Sequence, residues 1–262
     1  MLELGGNTDL APTVGALVRD GGVAVRAAIR GIAEAGLGHV QLDATLRGTR
    51  PRELDGRARK DLAAACTRAG LAMAGLDCFV PARHLEPGAD VDRATAALLG
   101  AVGLAADLGR LCVSFAVPAM EAVDRDALGA VVEAADGHGV TLAVHGEQDA
   151  ATRAWVAELG SPTVRLGVDA ASVLVAGGDV AAEATAEIGS LRLADAARDR
   201  DGQWARCAVG SGEVDVTAAW LAAELTSRGG RAVVLDLSRV ERAGDAMVAG
   251  AAAWREHAPR VL

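Results

Sequence analysis

The chain has 262 residues and a formal net charge of -9, and 51% of its residues are hydrophobic although aromatic residues supply only 2%. The acidic balance excludes a nucleic-acid-binding protein, because such proteins need a stripe of Lys and Arg to displace counterions from phosphates. Four cysteines without a CxxC pair exclude a zinc ribbon and a disulfide framework. We expect one domain over residues 1–262, with a core built mainly from Ala, Val and Leu.

The first residues show no positively charged segment followed by an apolar one, and no apolar run reaches the ~18 residues of a spanning helix. We therefore expect a cytoplasmic protein without a membrane partner. The sequence is compatible with a homo-oligomer but does not determine the oligomeric state.

Short apolar runs typical of buried parallel strands recur along the chain. They occupy residues 2–5, 39–43, 71–77, 111–117, 140–145, 164–169, 190–195 and 231–236. Segments with helical periodicity lie between many of them, at 57–69, 91–108, 125–136, 150–159 and 216–228. Eight βα units in a chain of this length predict a closed (β/α)8 barrel, the TIM barrel, rather than an open doubly wound sheet.

Six of these runs end on an ionisable residue, namely Asp43, Asp77, His145, Asp169, Asp195 and Asp236. Active sites of such barrels are built at the carboxyl ends of the strands, at the open end of the barrel that is called the mouth here. The pattern therefore predicts a site at the mouth. Two long connections, at 78–89 and 196–215, are predicted to overhang it as functional loops.

The chain resembles the sugar phosphate isomerase and epimerase group of the xylose isomerase-like barrels. The residues that carry this are IRGIAEAGLGHVQLDA, GVTLAVH, VRLGVDAASV, IGSLRLADA, VGSGEVDV and VVLDLS. The resemblance implies a barrel with one divalent metal ion (Mn, Zn, Mg, Fe or Co) at its mouth. It further implies isomerisation or epimerisation of a small sugar, sugar phosphate or polyol ketone by metal-assisted proton transfer.

By this resemblance, Asp169 matches the Asp that follows the sixth strand and holds the ion. His145 stands where a Glu is expected after the fifth strand, and Asp236 replaces a Glu after the eighth. The implied metal ligands are therefore His145, Asp169 and Asp236. Catalytic roles fall to Asp236, Glu213 and His145, with Asp236 or Glu213 as the proton carrier.

The seventh strand departs from the family pattern, because Ser190 and Arg192 stand where histidine is usual. One interpretation is that Arg192 replaces the metal ion, by polarising a carbonyl or holding an anion. The other is that Arg192 forms a salt bridge with Asp169.

Substrate contacts are predicted for residues at or above the mouth, namely Asp43, Asp77, His84, Arg192 and Asp195. Structural alternatives stay open for each. Asp43 and Asp77 also suit helix capping. Asp169 and Asp236 suit capping or pairing with Arg192 and Arg239, and Asp195 suits a buried pair with Arg198 or Arg206.

Two other functions remain compatible with this sequence. The first is a barrel that has lost its metal chemistry and binds a sugar or acidic metabolite without turnover. The second is a dehydratase or lyase that acts on a related polyol.

Overall fold

The computed structural model describes residues 10–146, 150–183, 188–226 and 233–257. Its strands, in chain order, are β1 (Leu10–Pro12), β2 (His39–Asp43), β3 (Ala72–Asp77), β4 (Cys112–Ala116), β5 (Leu142–His145), β6 (Val164–Asp169), β7 (Ile188–Leu193), β8 (Asp195–Arg198), β9 (Trp204–Cys207) and β10 (Val233–Leu235). Eight of them form one parallel sheet, and β8 and β9 form a separate antiparallel hairpin.

The parallel sheet curls into a nearly closed barrel. Its strand order is β1-β10-β7-β6-β5-β4-β3-β2. Directly after β1, Thr13 makes a parallel bridge to Gln41 of β2, which brings the two edge strands together. The predicted (β/α)8 barrel is confirmed.

The helices are α1 (Val14–Gly21), α2 (Val25–Glu34), α3 (Gly56–Arg68), α4 (Val91–Asp107), α5 (Arg125–His138), α6 (Ala150–Leu159), α7 (Ala170–Val175), α8 (Val180–Glu183), α9 (Val216–Thr226) and α10 (Ala243–His257). Local sequence explains their ends. Asp55 and Asp124 cap α3 and α5 by accepting from backbone N–H groups of the first turn. Gly139 ends α5 in the left-handed region, at a φ of 63°.

The core consists largely of small aliphatic side chains, as predicted. Ala101 and Ala105 of α4 and Ala135 of α5 are fully buried, and Phe115 on β4 is the bulkiest of the fully buried side chains. Alanine at these positions leaves little side-chain volume between neighbouring elements, so their backbones approach closely.

Seven predicted strands correspond to strands of the barrel, with shifts of up to a few residues at their ends. The strand predicted at 190–195 lies at 188–193. The strand predicted at 2–5 falls outside the described residues, and so do residues 231–232 of the last one. The first barrel strand that the structure describes is Leu10–Pro12, which was not predicted because three residues are too short to register as an apolar run.

The connection 196–215, predicted as a functional loop, contains regular structure that the sequence did not predict. Its first part is the β8–β9 hairpin, in which Ala196 pairs with Arg206 and Arg198 pairs with Trp204. Asp201-Gly202 at the turn is a common hairpin signal that the sequence interpretation overlooked. The other long connection, 78–89, contains one short turn of 3-10 helix at Ala82–Leu85.

None of the helices within the described ranges combines the length and the apolar character that crossing a lipid bilayer requires.

Candidate active site

The ionisable residues at the carboxyl ends of the barrel strands are buried. Exposure is 9% or less for Asp43, Asp77, His145, Asp169, Arg192, Asp195 and Asp236. Charged groups at this depth need partners, because burial without compensation costs several kcal/mol per ion. The chemistry available at the mouth therefore depends on the partners of these buried groups.

Asp43, at the end of β2, accepts hydrogen bonds on both of its carboxylate oxygens. Its Oδ1 accepts from the backbone N–H of Thr45 at 2.8 Å, and its Oδ2 accepts from Nη1 of Arg19 at 3.0 Å. Gly15 makes room for this pair, because a Cβ at that position would lie 2.3 Å from Oδ2 of Asp43. The outer face of Arg19 lies over the ring of Phe79, 5.1 Å from its centroid.

Asp77, at the end of β3, bonds to Arg192 of β7. Nη2 of Arg192 donates to Oδ1 of Asp77 at 2.7 Å and also to Oγ of Ser114 at 3.0 Å. Burial raises the pKa of Asp77 from its ordinary 3.8 to about 6, although the charge of Arg192 opposes the rise. Asp77 is therefore a carboxyl group that can gain and lose a proton near neutral pH.

Two buried polar atoms of this network have no hydrogen-bond partner among the residues that the structure describes. One is Nε of Arg192, and the other is Oε1 of Gln41, whose Nε2 donates to Oγ of Ser114 at 3.1 Å. Buried polar groups are nearly always satisfied, so each such atom marks a place where a water or a ligand group fits.

His145, at the end of β5, is buried, and within the described part of the chain neither ring nitrogen has a hydrogen-bond partner. Its ring lies directly against Gly167, since a Cβ at Gly167 would be 2.3 Å from Nε2. Burial, reinforced by Arg192 and Arg206, lowers the pKa of His145 well below its ordinary 6.5. The imidazole is therefore neutral at neutral pH, with one donor and one acceptor available.

Arg206 bridges Asp169 and Asp236. Its Nη2 donates to Oδ2 of Asp169 at 2.5 Å, and its Nη1 donates to Oδ2 of Asp236 at 2.8 Å. Burial alone would raise the pKa of Asp236, but Arg192 and Arg206 outweigh it and hold the pKa below its ordinary 3.8. Asp236 therefore remains an anion at neutral pH.

The prediction of a salt bridge between Arg192 and Asp169 is wrong. Asp169 pairs with Arg206, and Arg192 pairs with Asp77. The capping alternative for Asp169 is confirmed: its Oδ1 accepts from the backbone N–H of Ser172, in the first turn of α7, at 2.9 Å. From the sequence, Arg206 was predicted only as an alternative partner of Asp195.

Asp195 organises the backbone beneath the hairpin. Its two oxygens accept from the N–H groups of Ala196, Gly210, Gly212 and Val214 at 2.8 to 3.0 Å. A Cβ at Gly212 would lie 2.3 Å from Oδ1, so glycine is needed for this approach. The predicted pair of Asp195 with Arg198 or Arg206 is therefore wrong, because backbone amides take its place.

Two predicted site residues make their described contacts outside the ion pairs of the mouth. Glu213 is exposed, and its backbone N–H donates to the carbonyl of Ala196. His84 lies in the turn after β3, with Nε2 3.5 Å from Oδ2 of Asp90. Their predicted roles in catalysis and substrate binding stay predictions.

The described residues of the mouth do not fit a divalent metal ion. Oδ2 of Asp169 and Oδ2 of Asp236 both accept from the guanidinium of Arg206, which already supplies a positive charge to both carboxylates. Among the residues that the structure describes, no group of three or more His, Cys, Asp or Glu side chains is arranged to hold an ion. His145 therefore does not complete a ligand set with the two carboxylates.

No family model matches this chain, and no curated protein is similar to it in sequence. Solved structures are similar in fold. The probable 3-DHS dehydratase AsbF of Bacillus anthracis, involved in petrobactin synthesis, matches with a TM-score of 0.72 and 11% identity over 94% of this chain and 98% of that one. A xylose isomerase-like TIM barrel protein from Mycobacterium smegmatis, in complex with magnesium, matches with a TM-score of 0.68 and 13% identity over 96% of each chain.

A third match is D-psicose 3-epimerase from Clostridium cellulolyticum, solved with D-tagatose. Its TM-score is 0.66 and its identity 12%, over 92% of this chain and 89% of that one. These likenesses show that the chain has the xylose isomerase-like barrel fold, as the resemblance in sequence implied.

Proposed function

We propose that this chain is an enzyme that binds a small neutral sugar or polyol ketone in the carboxyl-end mouth and moves a proton within it, as an isomerase or epimerase does. The observation that carries the proposal is the buried pair of Asp77 and Arg192, in which a carboxyl group with a pKa of about 6 lies 2.7 Å from a guanidinium. A proton carrier works best when its pKa is near the working pH.

Asp77 is a better proton carrier than Asp236, which with Glu213 was one of the two carriers predicted from the sequence. The lowered pKa of Asp236 keeps it ionised, whereas Asp77 is present in both forms near neutral pH. In its ionised form Asp77 would accept the proton from the carbon next to the substrate carbonyl. The electron pair of the broken C–H bond would form an enediolate, whose oxygen carries the negative charge. For isomerisation, Asp77 would return the proton to the neighbouring carbon while a proton moves between the two enediolate oxygens. For epimerisation, a water on the opposite face would protonate the same carbon, and the resulting hydroxide would take the proton from Asp77.

Arg192 and His145 would stabilise the oxygen on which negative charge develops. Nε of Arg192 carries an N–H without a partner, and the neutral imidazole of His145 has a donor to offer. Donors that are already oriented toward developing charge in a buried site are the strongest single contribution to many enzymatic reactions.

The charge balance of the mouth favours a neutral substrate over a sugar phosphate. Each of the three guanidinium groups there already has a carboxylate partner, since Arg19 pairs with Asp43, Arg192 with Asp77, and Arg206 with Asp169 and Asp236. A phosphate would have to compete with these carboxylates. Hydroxyl groups can instead bond to the remaining lone pairs.

The test is hydrogen exchange in D2O. The protein is incubated with neutral ketopentoses and ketohexoses, and NMR follows both deuterium incorporation next to the carbonyl and the appearance of an epimer or isomer. We expect exchange with at least one sugar, and its loss in Asp77→Asn. Asp61→Asn, on the exposed face of α3, is the matched control and should keep the wild-type rate.

A second function is favoured by Arg206, which holds two of the mouth carboxylates in ion pairs. On this alternative the barrel binds a sugar or an acidic metabolite without chemistry. Binding detected by calorimetry without any exchange of carbon-bound hydrogen would support it against the enzyme. A dehydratase would instead give loss of water from a polyol, which the same NMR spectra detect.

A further inference from the structure

Both oxygens of Asp169 and of Asp236 already accept hydrogen bonds from the protein itself. In each carboxylate one oxygen accepts from a backbone N–H, of Ser172 or Ser238, and the other accepts from Arg206. A metal ion could bind these two residues only by displacing the guanidinium.

Electrostatics opposes such a displacement. An ion between Asp169 and Asp236 would meet the charges of both Arg192 and Arg206, which act on the Asp236 carboxylate. A doubly charged ion is repelled by guanidinium groups at short range unless carboxylates intervene. Here the nearest carboxylate oxygens already form ion pairs with Arg192 and Arg206.

The β8–β9 hairpin carries Arg206 into this position. Arg206 lies on β9 opposite the buried Ala196, near the base of the hairpin. Asp195 fixes the return of the chain by accepting from the N–H groups of Gly210, Gly212 and Val214. The guanidinium therefore extends from a paired strand whose following segment is hydrogen-bonded to Asp195.

We propose that Arg206 is a built-in cation, which occupies the position between Asp169 and Asp236 and makes the mouth independent of divalent metal ions. It follows that removal of this one side chain opens a site for a divalent cation. The inference deepens the proposed function, since it names the fixed positive charge beside the substrate. Its test measures ion binding and not turnover, so the two can fail separately.

The test is titration with Mn²⁺ by calorimetry, on protein purified in the presence of a chelator that is then removed. Two carboxylates with water as the remaining ligands form a weak site for such an ion. We expect no binding to the wild type at millimolar Mn²⁺ and about one ion per chain for Arg206→Ala. The bound ion should be lost again when Asp169→Asn is added to Arg206→Ala.

Arg198→Ala is the matched control, because Arg198 belongs to the same hairpin but lies over Trp204, 4.3 Å from the ring centroid. It should bind no Mn²⁺, like the wild type. Arg206→Gln serves as a second variant in case Arg206→Ala does not fold, and circular dichroism checks both. The proposal is overturned if the wild type binds Mn²⁺ and loses it in Asp169→Asn, or if a folded Arg206→Ala or Arg206→Gln binds none.

Discussion

Arg192 reaches across the barrel to Asp77. Nη2 of Arg192 donates to Oδ1 of Asp77 at 2.7 Å, although β6, β5 and β4 separate their strands in the sheet. The pair therefore connects strands on opposite sides of the barrel at the level of the mouth. It places a group that titrates near neutral pH beside a permanent positive charge.

Arg192→Met tests this pair through stability. The variant leaves the Asp77 carboxyl buried without its cation, so its pKa should rise further above about 6. Breaking a buried ion pair costs ~3 kcal/mol or more when the remaining group stays charged. We expect that loss in the free energy of unfolding at pH 8, and a clearly smaller loss at pH 5, where Asp77 is protonated.

Urea unfolding at the two pH values measures the difference. Arg93→Met, which breaks the exposed pair with Asp90, is the control and should cost less than ~1 kcal/mol at both. Equal losses for Arg192→Met at pH 5 and pH 8 would mean that Asp77 does not titrate in this range.

Gly167→Ala tests the contact that positions His145. The added Cβ would lie 2.3 Å from Nε2 of His145, so the ring must move. Overpacking of this kind costs ~1–3 kcal/mol, and we expect a lower melting temperature together with a changed imidazole signal in the NMR spectrum. Gly129→Ala is the control, because that helical position has open space around it and alanine should stabilise it by ~0.5–1 kcal/mol. A Gly167→Ala variant as stable as the wild type would contradict the close approach.

Asp195→Asn tests the hydrogen bonds between the Asp195 carboxylate and the backbone beneath the hairpin. An amide keeps one acceptor oxygen and turns an NH2 group toward backbone donors, so at least one of the N–H groups of Gly210, Gly212 and Val214 loses its partner. Hydrogen bonds to a charged group are worth ~1.5–3 kcal/mol each, so we expect a loss of that size in the free energy of unfolding. Limited proteolysis should cut the variant between residues 196 and 215 faster than the wild type. Unchanged cleavage there would show that the loop does not depend on Asp195.

Much of the architecture could be predicted from the sequence, because parallel strands buried on both faces appear as continuous apolar runs. The runs that end at Asp43, Asp77 and Asp169 are strands with those same carboxyl ends. The (β/α)8 barrel and its mouth follow directly from them. The strand Leu10–Pro12 did not emerge, since it is shorter than any recognisable period.

The pairing of charges could not be predicted in the same way. Which arginine reaches which aspartate depends on distances across the barrel, and these have no counterpart in sequence spacing. Arg192 and Asp77 lie 115 positions apart, and Arg206 and Asp169 lie 37 apart. The Asp201-Gly202 turn could have revealed the hairpin, but not that Arg206 on it would reach two carboxylates.

The most direct test of this account is the titration of Asp77 by ¹³C NMR in protein labelled at the Asp carboxyl carbons, with Asp77→Asn to assign the signal. We expect a midpoint of about 6, and a higher one in Ser114→Ala, because the hydroxyl of Ser114 stabilises the ionised form. A midpoint at or below the ordinary 3.8 would mean that Asp77 is a permanent anion at neutral pH, and would contradict its role as the proton carrier of the mouth.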